Sequence, residues 1–213
     1  MFNHVNPVDV SPSSVLLRVS SWNENQLSKA DSDEELIVKV GQGDIRAFEM
    51  LVSRHQKSAL RAALRFVSDR QEAEDLAQEA FLTIFRKAQQ YEPKASFKTW
   101  FFTILLNLCR NAVKKKKPVY FDTLPPEIVE TAGSEDPTDQ FDRRQIQQAL
   151  ADAIAKLPEN QRAAFILCHY ENFSYAEAAK TMGVSVKAVE SLLVRAKRNL
   201  REELAWLRGK QAS

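Results

Sequence analysis

Between Gly43 and Pro93 the chain carries neither glycine nor proline, and along that stretch the apolar side chains return every three or four residues. Ala73, Leu76, Ala77, Ala80, Phe81, Ile84, Phe85 and Ala88 make one stripe, and Ala47, Phe48, Leu51, Val52, His55, Ala59 and Leu60 make another. A repeat of about 3.6 residues puts such a stripe on one side of an α-helix, whereas a strand needs alternation and frequent turns. Only 5 glycines occur in 213 residues, so turn residues are scarce throughout. The expected fold class is all-α.

Helix boundaries follow from capping residues. Ser32-Asp33-Glu34-Glu35 opens a first helix that runs to about Gly41, Asp44 opens a second, and Asp69 with Glu72 opens a third by a capping-box-like exchange of hydrogen bonds. Ser96 heads a fourth helix through Phe97, Trp100, Phe101, Ile104, Leu105 and Leu108, ending near Lys117-Pro118. Residues 34–117 therefore form one helical domain. From 118 to 142 the pattern gives way to Pro125-Pro126, Gly133-Ser134 and Asp136-Pro137, the composition of a flexible linker. Periodicity resumes at Ile146, Ala149, Leu150, Ala153, Ile154 and Leu157, breaks at Pro158, and restarts with Ala163, Phe165, Ile166, Leu167 and Tyr170. A second helical domain spans 143–208, with a short tail at 209–213. Residues 1–33, rich in Ser and Asn, are expected to be a flexible extension.

The net charge of +2 conceals a pattern: residues 1–33 carry −2, 34–117 carry +6, 118–142 carry −7 and 143–208 carry +4. Two cationic modules suit a polyanion, and the acidic strap between them either faces a positive surface or is simply solvated. On charge alone the solvated linker is the simpler reading. Cys109 and Cys168 both sit inside apolar helical patterns and point to reduced thiols in a reducing compartment. The most apolar stretch, 101–108, runs into Arg110 and a lysine run, well short of the ~20 residues of a membrane span. The N-terminus lacks the basic start and apolar core of a signal peptide. A cytoplasmic location is expected.

Residues 174–198 hold the sharpest local signal. Ser174 and Glu177 form a capping box, Gly183 follows Ala179 by four residues, and Val189 follows Gly183 by six. A helix-turn-helix needs this spacing: a small residue where the helices cross, a glycine that accepts the positive φ of the turn, and a branched residue that packs the second helix on the first. Ser185 caps the second helix, so Val186, Lys187, Ala188, Glu190 and Ser191 project toward a groove, with Arg195, Lys197, Arg198 and Arg201 placed to reach phosphates. A plain helical hairpin with a basic solvated face is the competing reading.

A second constellation sets Tyr91, Phe97, Trp100, Phe101 and Phe102 among Lys94, Lys98, Arg110 and the lysines Lys114, Lys115, Lys116 and Lys117. Aromatic faces with cationic neighbours suit unstacked bases, although aromatics at helical spacing are more often core, and Trp100, Phe101 and Ile104 are expected mainly in the core. Asn107 adds an amide able to read a base edge. A third segment, 75–81, flanks an apolar stripe with Asp75, Gln78 and Glu79, a face that either docks another protein's helices or is the wet side. Catalytic signals are missing: there is no phosphate-cradling glycine loop, no His pair at metal spacing and no Gly-flanked serine. Adjacent Cys168 and His169 diverge by about 100° on a helix and share no metal. Neither cofactor, metal nor catalytic residue is expected.

Taken together, GDIRAFEMLVSRHQ (43–56), AEDLAQEAFLTIFRKAQQYEPKASFKTWFFTILLNLCRNAVKKKK (73–117) and LPENQRAAFILCHYENFSYAEAAKTMGVSVKAVESLLVRAKRNLREEL (157–204) resemble the extracytoplasmic-function sigma factors of the sigma-70 family, the subunits that give bacterial RNA polymerase its promoter specificity. The resemblance implies that Asp75, Leu76, Gln78, Glu79 and Phe81 dock on the β′ clamp helices of core polymerase. It implies that Tyr91, Phe97, Lys98, Asn107, Arg110, Lys114 and Lys115 open and read the minus-ten element, with a flipped base near Phe97 and Asn107. By the same resemblance Ser174, Ser185, Lys187, Ala188, Glu190, Ser191, Arg195, Lys197 and Arg198 serve the duplex minus-35 element, the acidic segment threads polymerase channels toward the active centre and RNA exit, and core polymerase, its β subunit included, and an anti-sigma factor are expected partners. The chain departs from the pattern at Glu190 and Leu192, where basic residues are common; Glu190 either accepts from a cytosine amino group or pairs with Lys187 or Arg195. The 1–33 extension is a second departure. Two other classes compete: a free-standing DNA-binding regulator, which leaves the 75–110 features unexplained, and a nucleic-acid enzyme, which lacks a metal-binding carboxylate cluster.

Overall fold

The computed structural model describes residues 31–115 and 137–206. Among them there is no strand, and the helices are α1 (Asp33–Gly41), α2 (Ile45–Val67), α3 (Arg70–Lys87), α4 (Phe97–Lys115), α5 (Pro137–Lys156), α6 (Glu159–Phe165), α7 (Tyr175–Met182) and α8 (Val186–Glu203). A 3-10 turn, Ala88–Gln90, follows α3, and a π-helical turn, Ile166–Tyr170, extends α6. No described helix is long and apolar enough to cross a membrane.

Helix starts are fixed by side chains within three residues. Ser32 accepts from the Glu35 backbone N–H at 3.2 Å while Glu35 accepts from the Ser32 N–H at 2.7 Å, a complete capping box on α1. Asp44 accepts from both Arg46 and Ala47 N–H groups at the start of α2. Asp69 accepts from the Glu72 N–H at 2.8 Å at the start of α3. Each such cap is worth about 1 kcal/mol. Between α2 and α3 the chain turns through Ser68, whose φ of 58° is left-handed. One expected boundary moves: α5 begins at Pro137, inside the stretch read as linker up to 142. Proline costs nothing at a first helical position, because the N–H it lacks would have no intrahelical acceptor there and its φ is already helical.

Helices α1–α4 bury Leu36, Ile37, Leu51, Val52, Ile84, Phe97, Phe101 and Leu105 almost completely. Phe97 lies parallel to Phe101, centroids 6.0 Å apart, and Phe81 closes on Phe101 at 4.9 Å. Each fully buried side chain of this size contributes about 1.5–3 kcal/mol. In the second module Val189 and Leu193 of α8 pack with Ala163, Ala164 and Ile166, and Ala196 and Leu200 join Ala153, Ile154 and Leu157 of α5. The main apolar cluster runs without a break from α1–α4 into α6–α8, so the two modules share a packed seam.

Candidate nucleic-acid interface

The helix-turn-helix expected from residue spacing is present. The Ser174 hydroxyl accepts from the Glu177 N–H, and the Glu177 carboxylate accepts from both the Ser174 N–H and hydroxyl; these bonds hold the Glu177 carboxyl below its ordinary value. Gly183 turns the chain at φ 68° with no atom within 4 Å of where a Cβ would stand, so the turn demands its backbone freedom and not its size. The Ser185 hydroxyl accepts from the Ala188 N–H at 3.2 Å and caps α8. Ala179 and Val189 are buried where α7 and α8 meet. Lys187, Glu190, Arg195, Lys197, Arg198 and Arg201 are exposed along α8, and Ala188 and Ser191 are half-buried. Val186, 43% exposed, presents an apolar group to solvent at the start of α8. Among the described residues Glu190 forms no ion pair with Lys187 or Arg195 in this structure, and Arg195 donates to the Ser191 hydroxyl at 3.1 Å.

The first module's candidate strand-reading face differs from expectation. Phe97 has no exposed surface and Tyr91 is 9% exposed, so neither ring is a stacking platform for a base. Phe97 is held by Phe101 and the His55 ring at 5.2 Å, and Tyr91 by Trp100 at 5.2 Å and by its hydroxyl, which donates to the Ala95 carbonyl at 2.8 Å. Burying a phenyl ring in a packed core outweighs holding it out for a ligand. Phe101 is core as expected, and Trp100 is half-buried. Trp100, Asn107 and Lys114 stand two turns apart in succession, and Asn107 and Lys114 are exposed, as is Lys115. Lys98 and Arg110 are half-buried. Arg110 lies 3.0 Å from a Glu159 carboxylate oxygen and donates to the Asn160 side-chain oxygen at 3.0 Å, both in α6.

On α3, Asp75 and Gln78 are exposed, Leu76 and Glu79 half-buried, and Phe81 only 4% exposed. Phe81 packs mainly into the core, its ring beside Phe101. With Leu60 and Ala77 it floors an open groove of about 360 Å³ between α2 and α3, rimmed by Gln56, Lys57, Glu74 and Gln78. Glu79 accepts from Arg86 and from the Thr83 hydroxyl on its own helix.

Two residues with long-range roles escaped the sequence reading. Glu34 of α1 accepts from the Phe97 N–H at 2.7 Å and thereby caps α4 from 63 positions away, next to the Ser96 hydroxyl that takes the Thr99 N–H. Buried Arg162 donates to the carbonyls of Phe66 at 2.6 Å, Leu157 at 3.0 Å and Ala155. Burial holds its guanidinium below its ordinary pKa, and three carbonyls at the ends of two helices supply the compensating negative charge. No local pattern announces either role: Arg162 follows the polar Glu159-Asn160-Gln161 and stands where any solvated arginine could. The Cys109 thiol is pushed up to about 12 by burial, so it stays an inert thiol, and Cys168 is also shifted up by burial.

Comparison with known proteins places this geometry. Residues 51–119 match the family described as sigma-70 region 2, and residues 147–200 match sigma-70 region 4. The RNA polymerase sigma-H factor of Pseudomonas aeruginosa is 32% identical over 175 residues, covering 78% of this chain and 91% of that protein. The ECF RNA polymerase sigma factor SigW of Bacillus subtilis is 27% identical over 178 residues, covering 79% and 94%. Among solved structures, CnrH in complex with the cytosolic domain of CnrY superposes with a TM-score of 0.63 at 26% identity, covering 82% of this chain and 98% of that one.

Proposed function

This chain belongs to the sigma-70 family as an extracytoplasmic-function sigma factor, and on that premise we propose how its two modules divide the work of initiation. The protein binds core RNA polymerase, directs it to promoters and helps open the DNA there. Within that role the 34–117 module docks on the β′ clamp helices and reads the opened minus-ten strand, the acidic 118–142 segment threads polymerase channels, and the 143–208 module reads the minus-35 duplex. The observation that carries this division is the pairing of an open, basic, correctly capped helix-turn-helix in α7–α8 with a second cationic helical module in which Trp100, Asn107 and Lys114 line up along α4.

Duplex readout fits α8. Arg195, Lys197, Arg198 and Arg201 meet phosphates, which sets register, while Val186, Lys187, Ala188, Glu190 and Ser191 meet base edges. Glu190, without an intramolecular partner, accepts from a cytosine amino group. On α4, Asn107 supplies donors and acceptors to a base edge and half-buried Trp100 a partial aromatic face; Lys114 and Lys115 follow the backbone. Extruding a base costs about a few kcal/mol of lost stacking, and capture of the extruded base offsets that cost. A surface that holds single strands better than duplex shifts the equilibrium toward the bubble by that difference in affinity. The chain makes and breaks no bonds in this scheme, and it works in the cytoplasm with polymerase and, by family resemblance, an anti-sigma partner.

On the docking face, exposed Asp75 and half-buried Leu76 are the principal contacts, and Glu79 contributes by ordering Arg86. The test is co-purification with core polymerase followed by transcription and start-site mapping. Asp75→Lys lowers the affinity for core polymerase at least about fivefold while helix content stays constant, a like-charge clash replacing a favourable rim contact. Holoenzyme assembly at wild-type affinity would remove the assignment of this face.

A further inference from the structure

The loop that leads into α4, residues 91–96, is held at both ends by a single helix. At its entrance the end of α1 lies against the 3-10 turn. A Cβ added to Gly41 would stand 3.2 Å from the Ala88 carbonyl oxygen and 3.3 Å from the Gln89 nitrogen, a contact that a side chain makes only by pushing the turn away. At its exit Glu34, about 10 Å back along α1, accepts from the Phe97 N–H at 2.7 Å, the first N–H of α4. Building on the reading of α4 given above, we propose that α1 is the brace of the minus-ten reader: Gly41 and Glu34 are positioning residues that pin this loop at two points and so set where Trp100 and Asn107 meet an extruded base.

Between the two pins the loop has little hold of its own. Glu92, Pro93, Lys94 and Ser96 are exposed, and the Lys94 N–H donates to the Glu92 carbonyl at 2.7 Å. Tyr91 carries the constraint inward. Its N–H donates to the Ala88 carbonyl at 3.1 Å, its hydroxyl donates to the Ala95 carbonyl at 2.8 Å, and its ring lies 5.2 Å from that of Trp100. Burial and the nearby Glu34 charge raise the pKa of this hydroxyl, so it stays a donor. A shift of the loop therefore passes directly to the Trp100 ring. The local cap on α4, Ser96, takes the Thr99 N–H and leaves the Phe97 N–H to Glu34, whose carboxylate also meets the positive end of the helix dipole. The brace itself is fixed. Leu36 and Ile37 of α1 are at 1% exposure or less, and Asp33 accepts from Arg54 at 2.8 Å and from His55 at 2.6 Å. Groups that must meet a ligand within a fraction of an ångström need such support from residues that never touch it.

The test uses holoenzyme assembled from core polymerase and the full-length chain, on a promoter located by start-site mapping. Its minus-ten stretch is opened by mismatches, so that strand capture is read apart from melting. Discrimination is the affinity for the native non-template strand at that stretch divided by the affinity for a scrambled one. Glu34→Ala lowers discrimination about tenfold, the change that one hydrogen bond to a carboxylate carries, while affinity for core polymerase and for the scrambled template stays as in the wild type. A merely structural role would lower all three together. Glu34→Gln, whose amide oxygen still accepts from Phe97, keeps wild-type discrimination. Gly41→Ala favours the α1 helix yet pushes the turn away, so it lowers discrimination in the same direction by less, and it carries the test if Glu34→Ala does not fold. Wild-type discrimination in Glu34→Ala or in Gly41→Ala, equal losses in Glu34→Ala and Glu34→Gln, or a loss of core affinity that matches the loss of discrimination would each overturn the proposal. A wild-type holoenzyme that fails to tell the two strands apart counts instead against the minus-ten reading of α4, and the brace falls with it.

Discussion

The two reading surfaces of this molecule are made in opposite ways. The α7–α8 surface is assembled from neighbours in sequence: a capping box at Ser174 and Glu177, a left-handed glycine at 183, a cap at Ser185, and an exposed row that follows automatically from helical period. The α4 surface is assembled from distance. Its first helical N–H is capped by Glu34, its inner rings are held by His55 and Phe81, and two of its cations are engaged by residues from beyond position 150. Local construction leaves a surface open and easily read from sequence, whereas long-range construction hides aromatic rings that look, in sequence, like binding groups.

The harshest way to break this contrast is Phe97→Ala. A ring with no exposed surface leaves a cavity, and the expected loss is about 3–5 kcal/mol in the stability of the first module, measured by urea unfolding. If stability were unchanged and only open-complex formation fell, Phe97 would return to the DNA and the contrast would fail.

Gly183→Ala probes the other surface with a smaller effect. Nothing within 4 Å would meet the new methyl, so the cost is the left-handed backbone alone, about 1–2 kcal/mol. Thermal melting should show that loss, and duplex affinity should fall with it. A neutral substitution would mean that the α7–α8 turn is not held at positive φ in solution.

The smallest effect sharpens the anchoring of the first module. Burial pushes the Asp33 carboxyl up, but hydrogen bonds from His55 at 2.6 Å and Arg54 at 2.8 Å, with their charges, leave it below its ordinary value. A carboxylate with a depressed folded-state pKa contributes stability that is present above its unfolded value, near 3.9, and is lost as pH falls through the folded value. Wild-type protein should therefore lose thermal stability between about pH 5 and pH 3 more steeply than Asp33→Asn, which lacks that proton uptake. Parallel acid limbs for the two proteins would show that the pair adds nothing.

Cap residues and the glycine turn were legible because each is satisfied within a few positions, and an amphipathic stripe declares its helix whatever it packs against. The burial of Tyr91, Phe97 and Phe81, to which the family resemblance gives contact roles, is not legible for a related reason: periodicity reveals that a residue lies on the apolar side of a helix and is silent on whether a second helix covers it. The start of α5 at Pro137 was hidden by composition, since Asp-Pro reads equally as a turn and as a helix entrance. Arg162, Glu34 and Glu159 had no legible role, because their partners lie up to 96 positions away or in another module.

What the sequence by itself determined is the all-helical fold, the points where helices start and turn, and two cationic modules separated by an acidic stretch, all of them consequences of local hydrogen bonding, residue period and charge count. Only the tertiary structure decided which aromatic rings are core, which cations are already partnered, and that the second module rests on the first. Those outcomes depend on which surfaces exclude water together. That is a property of three-dimensional packing between segments far apart in the chain, where no periodic pattern reaches.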